Sequence, residues 1–156
     1  MKLEVDVDLE GMEILLAKLK QSELRRALKP AGEGLVNIVQ NNVKASRDPY
    51  GQAWKPLAES TLNSQVRKGR RRRQYQGGKP LIRTLNMLRS LNSQVTESGL
   101  EVGFAAPYAK YHNGDTGIVG KGKVPQRRML PTDPSQGLPK AWRNVLTSSI
   151  EGYLEE

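Results

Sequence analysis

The sequence predicts an α+β domain: a small antiparallel sheet packed with N-terminal and C-terminal helices, plus a long basic arm. Three observations carry this. Leu3, Val5, Val7 and Leu9 alternate with Glu4, Asp6, Asp8 and Glu10, the period of a half-buried strand. Both flanks of the chain carry apolar residues at helical spacing. Between them, Arg67, Lys68, Arg70, Arg71, Arg72 and Arg73 crowd into seven positions, and like charges that dense resist packing. A chain of 156 residues fits one domain, and 1–156 is read as one, with the arm at about 46–80.

Taken in order, Gly11 ends the first strand. Met12, Leu15, Leu16 and Leu19 follow i, i+3, i+4, i+7, and Leu24, Ala27 and Leu28 continue that stripe. Pro30 disfavours helix at Lys29, so a break is expected there. Leu35, Ile38, Val39 and Val43 predict a second helix, weakened at its start by Gly32 and Gly34 and fading before Asp48-Pro49. Beyond the arm, Thr84 is placed to cap a short helix carrying Leu85, Leu88 and Leu91. Val95, a Ser98-Gly99 turn and the Leu100, Val102, Phe104 face predict a hairpin. Pro107 suits the first turn of a short helix through Tyr108, Tyr111 and His112. Residues 113–137 read as loop, with one short strand expected near Val124. Pro139 opens a last helix with Trp142, Val145, Leu146, Ile150 and Tyr153 on one side.

The composition excludes several chemistries. Without Cys there is no disulfide scaffold, no thiolate catalysis and no Cys-based zinc site. The first residues lack the apolar core of a secretory signal, and no stretch is apolar enough to span a membrane. Gly117 to Lys123 has phosphate-loop spacing, but Val124 stands where Ser or Thr must hold magnesium, so a flexible loop is preferred. His112, the single His, has Asp115 nearby but no positioned nucleophile, and is read as structural. Glu4, Asp6 and Asp8 are read as the wet, aggregation-blocking face of an edge strand rather than a magnesium site. No cofactor and no metal are expected.

The charge is unevenly spread. Residues 1–24 hold three Lys against six acids, and residues 25–80 hold thirteen Lys and Arg against three acids. The net charge of +9 and a pI near 9.9 suit contact with a polyanion. Tyr75 alone offers an aromatic ring near the run, which argues against base stacking on single strands. An acidic protein surface remains an equal partner for it. A free-standing, non-sequence-specific nucleic-acid-binding protein is the alternative reading of the chain.

Four stretches carry more specific information. They are Asp48-Pro49-Tyr50-Gly51 with Trp54 and Leu57; Gly78 to Arg83-Thr84 leading into Met87 to Leu91; Val102-Gly103-Phe104 with Pro107-Tyr108, Tyr111 and His112-Asn113-Gly114; and Gly122 to Pro125 with Arg127. On physical grounds, Pro49 and Gly51 suit a tight turn, with Trp54 and Leu57 anchoring the arm's start to the body. Arg83 and Thr84 suit a cap and an ion pair. Tyr108, Tyr111 and His112 suit an amphipathic helix with inward bodies and outward polar tips. Pro125 and Arg127 suit a fixed loop before the last helix. In this order the stretches resemble the phage virion morphogenesis family, the tail-completion proteins of Mu-like and related tailed phages. The resemblance runs from about residue 1 to 155. Three departures fall in loops: Leu85 where the family pattern has Gly, Asp115-Thr116 after Gly114, and Arg128-Met129-Leu130-Pro131 after Arg127.

The resemblance implies a structural protein without catalytic activity. It implies completion of the tail or a neck interface joining tail to head, and partners among other tail or neck proteins. It also implies assembly as a ring and residence in the virion, with host cytoplasm as the site of assembly. The acidic first strand and the basic arm offer two complementary surfaces, and the arm either meets an acidic neighbour or faces the DNA channel.

Overall fold

The computed structural model describes residues 2–4, 21–59, 79–82, 85–96, 99–114 and 125–155. Seven elements lie within them: β1 (Lys2–Glu4), α1 (Gln21–Lys44), α2 (Asn86–Arg89), β2 (Leu91–Val95), β3 (Leu100–Phe104), α3 (Ala109–Asn113) and α4 (Lys140–Leu154). The three strands form one antiparallel sheet in the order β1-β3-β2, with Leu3 opposite Val102 and Ser93 opposite Val102 on the other side. This is the α+β arrangement that the patterning predicts. The stretches 5–20 and 60–78, which hold most of the first strand, the start of the first predicted helix and the arginine run, lie outside the described residues.

Alternation along the hairpin decides which face is covered. Leu91, Val102 and Phe104 are buried, Ser93, Val95 and Leu100 partly so, while Asn92 and Gln94 are exposed. The covered face packs on α1 through Leu28, Ala31, Leu35, Val39 and Val43, and Trp142, Leu146 and Ile150 of α4 complete the core from the other side. The hairpin closes one pair beyond Val95 and Leu100, where the Thr96 amide donates to the Gly99 carbonyl at 2.7 Å.

The expected break at Pro30 does not occur: α1 runs unbroken through it. A proline inside a helix loses one backbone bond and crowds a carbonyl one turn back, at a cost of about 3 kcal/mol. Pro30 is exposed, so the loss falls on the solvent side, while Ala27, Leu28, Ala31 and Leu35 remain buried against the core. Burial of that stripe outweighs the local penalty. The two glycines that weaken this segment on propensity are contact points instead. A Cβ at Gly32 would lie 2.7 Å from Ser93 Oγ, and one at Gly34 would lie 2.7 Å from Val145 Cγ1. They let α1 approach the sheet and α4 closely.

Two further expectations need correction. The residue before α2 is Leu85, not Thr84, and it sits in the left-handed region at φ 58° without a side-chain capping bond. Leu91 is the first residue of β2 rather than part of that helix. Likewise Tyr108 precedes α3, and Tyr108 and Tyr111 are exposed at 43% and 42%; Ala109 and Asn113 are the residues that α3 buries. The small Ala and the hydrogen-bonding Asn fit the tight space under this single turn, and the two rings do not. No strand occurs at 125–129, and Val124 lies outside the described residues. The last helix is as predicted, with Trp142, Leu146 and Ile150 buried.

Candidate assembly site

At the C-terminal end of α1, three parts of the chain that are distant in sequence are tied together. The first is the turn after α1. The Asp48 Oδ1 accepts the amides of Tyr50 at 2.9 Å and Gln52 at 2.8 Å, and the Asp48 amide donates to the Gln52 carbonyl at 2.8 Å. Gly51 takes φ 91°, and the Trp54 amide reaches back to the Ser46 carbonyl at 2.8 Å. An acceptor side chain, a proline and a glycine in series are the composition such a turn requires. The turn delivers Trp54 into the core, where its Nε1 donates to the Arg128 carbonyl at 3.1 Å. Leu57 is half-buried beside it. Tyr50 adds a second tie, its hydroxyl donating to the Gly137 carbonyl at 3.0 Å, and burial raises its pKa.

The second part is α3 and the third is the segment 125–133. Asn113 joins them and is fully buried. Its Oδ1 accepts the amides of Met129 at 2.8 Å and Leu130 at 3.0 Å, and its Nδ2 donates to Thr132 Oγ1 at 2.7 Å. Its carbonyl accepts Gln126 Nε2 at 2.8 Å, and the Arg127 amide donates to the His112 carbonyl at 2.9 Å. A stretch with no regular structure therefore satisfies its buried backbone through one side chain. Met129 and Leu130 can then enter the core as if they lay on a strand.

Arg127 closes the triangle. It is only 6% exposed, and its Nη2 donates to the Lys55 carbonyl at 3.2 Å and, at 3.5 Å, towards that of Pro56. Its Nε is buried without a partner, as is Nδ1 of His112. Burial lowers the Arg127 pKa; burial first, then the Arg127 charge, lowers that of His112. A guanidinium holds two carbonyls at once, so the chain at 55–56 is fixed to the loop at 127 without a carboxylate. Next to it, Arg128 pairs with Asp133 at 3.1 Å. Asp133 is held below the usual carboxylate range mainly by the Ser135 hydroxyl.

Of the residues singled out in the sequence, the structure brings Asp48, Pro49, Tyr50, Gly51, Trp54, Leu57, His112, Pro125 and Arg127 to this one end. Pro107, Tyr108 and Tyr111 border it. Arg83, Thr84, Arg67, Lys68, Arg70, Arg71, Arg72 and Arg73 lie outside the described residues. Asn113, the centre of the network, enters the sequence pattern only as part of the His112-Asn113-Gly114 stretch. Its one signal is position, an Asn immediately before a glycine that ends a helix with φ 97°. Among the described residues there is no group of His and acidic side chains able to hold a metal, and no helix is long and apolar enough to cross a membrane.

These features define an α+β fold in which the turn at 48–54, α3 and the segment 125–133 are tied together at one end of α1, a form suited to presenting surfaces to other proteins. The chain belongs to the phage virion morphogenesis family, whose profile matches residues 7–155, nearly its whole length. It is therefore a virion-assembly protein, associated with the virion and working with other phage structural proteins. No curated protein and no solved structure matches it.

Proposed function

We propose that the protein completes the tail or forms the head–tail interface, acting by binding rather than catalysis, as one subunit of a ring assembled in the host cytoplasm. The observation that carries this reading is the family match over nearly the whole chain. The pinned turn at 48–54 and the Arg127 bridge support it, because surfaces that mate with a neighbour must be held in place before they meet it. The arginine run supplies a further contact, with an acidic neighbour or with DNA in the channel.

Electron microscopy of a lysate in which the gene is interrupted tests the role. Filled heads beside abnormal or unjoined tails are expected, and normal joined virions refute it. Replacing Arg70, Arg71, Arg72 and Arg73 by Ser tests the run. Loss of joined particles with an unchanged circular dichroism spectrum and melting temperature is expected. Normal infectious yield makes the run dispensable.

A further inference from the structure

Four large apolar side chains are exposed among the described residues: Leu85, Tyr108, Tyr111 and Leu154. They fall towards opposite ends of α1. The Ser149 hydroxyl meets the Ala27 carbonyl at 2.5 Å, and Gly34 abuts Val145, so α1 and α4 run antiparallel. Leu154 thus lies by the N-terminal end of α1. Tyr108 and Tyr111 belong to the other end. Their helix is tied through Arg127 to Lys55, and the neighbouring Trp54 amide to Ser46, just past the C-terminus of α1. Leu85 joins the same end, because Ser90 at the close of α2 accepts the amides of Ala105 and Ala106 at 2.9 and 3.2 Å. The α1 helix between these ends has 24 residues, about 36 Å at 1.5 Å per residue.

The two groups also differ in charge. Exposed Arg89 and Lys110 border Leu85 and the tyrosines, with Lys110 Nζ 5.3 Å from the Tyr111 ring centre. Exposed Glu151 and Glu155 flank Leu154 at the tip of α4. Among the described residues Arg25 and Arg26 stand further back on α1, and Glu151 and Glu155 are the charges next to Leu154 in the chain. Leu85 and Tyr108 also occupy the positions just before α2 and α3, where a Ser, Thr, Asp or Asn would bond the helix amides, and neither makes a capping bond.

We propose that these two patches are the halves of one contact between copies of this chain: Leu85, Tyr108 and Tyr111 of one subunit cover Leu154 of the next, with Lys110 facing Glu151 and Glu155. The occupant is a second copy in head-to-tail order. Docking the tyrosine patch on itself would oppose Arg89 and Lys110 to their own copies, whereas docking it on the helix tip pairs opposite charges. A contact between unlike surfaces at opposite ends propagates, and it closes into a ring when the rotation per subunit allows. This rests on the ring reading above and names its interface.

The chain has no cysteine, so cross-linking is site-specific. Tyr108→Cys and Leu154→Cys chains are mixed, purified at high concentration, and treated with a short bis-maleimide. The same variants are expressed in lysates where virions assemble. The mixture is expected to give a cross-linked dimer and neither variant alone to do so. A chain carrying both cysteines is expected to give a ladder. Lys110→Glu should cut the yield at least threefold, and adding Glu151→Lys with Glu155→Lys should restore it. Dimers from Tyr108→Cys alone, or no cross-link in lysates that produce infectious particles, overturn the proposal. Scoring the same lysates for complementation of the gene-deleted phage separates the two failures, because the role in the virion is lost only if the gene is dispensable.

Discussion

Replacing Asn113 by Ala removes one side chain and leaves two amides without an acceptor. Met129 and Leu130 are 1% and 0% exposed, and their N–H groups are bound by the single Asn113 Oδ1 at 2.8 and 3.0 Å. An orphaned buried donor costs about 1–3 kcal/mol. Thr132 is half-buried and its hydroxyl can turn to water, which adds little. The two amides together give a loss of about 2–6 kcal/mol, a large share of the margin of a domain this size. For 156 residues that lowers the melting temperature by roughly 4–24 °C. Calorimetry and urea titration of wild type and Asn113→Ala measure it. A loss below about 1 kcal/mol with an unchanged urea slope would mean that the amides find other partners cheaply, and the reasoning from Asn113 as the tie between α3 and 125–133 would be refuted.

The other predictions concern backbone strain, close packing and titration. Leu85→Gly should stabilise the isolated protein by about 1 kcal/mol, because a left-handed non-glycine residue costs about 1–2 kcal/mol; a lower melting temperature contradicts this. Gly34→Ala should destabilise by about 1–3 kcal/mol through overpacking on Val145, and adding Val145→Ala should recover part of it; no recovery places the cost elsewhere. His112 has a depressed pKa, so its neutral form favours the fold. Its contribution is full above the ordinary value of about 6.5 and is lost as pH falls below it. The melting temperature should drop as pH falls below about 6.5 in wild type and drop less in His112→Gln; equal slopes exclude His112 as the source.

The parts of this fold that sequence made legible are those in which one face of one element decides. The hairpin alternates cleanly, and α4 shows Trp142, Leu146 and Ile150 at helical spacing, so both are read from pattern alone. Three features were out of reach because a distant partner decides them. Pro30 stays helical since the α1 stripe is buried on the sheet and α4. Gly32 and Gly34 look like weak points until Ser93 and Val145 are seen against them. Tyr108 and Tyr111 look like core until the single turn of α3 turns out to have room for Ala109 and Asn113 only. Leu85 stands where the family pattern has glycine. Its physical meaning, φ 58° imposed on a leucine, appears only in the backbone.

The network around Asn113 and Arg127 bears on the arginine run even though the run lies outside the described residues. The chain enters it past Trp54, which is in the core, and past Lys55 and Pro56, whose carbonyls Arg127 holds. It leaves it at Lys79, whose Nζ donates to the Lys44 carbonyl at 3.1 Å, and at Pro80, which is buried. Both feet therefore stand at the C-terminal end of α1, next to Tyr108 and Tyr111 and away from Leu154. The two feet are fixed by the buried Arg127 guanidinium on the carbonyls at 55–56 and by the burial of Trp54 and Pro80, contacts that salt screens less than it does exposed charges. Raising the salt concentration should then weaken what the arginines hold and leave their base in place. An assembly defect that appears with salt alone, while the melting temperature stays constant, separates the charge contact from the fold that presents it.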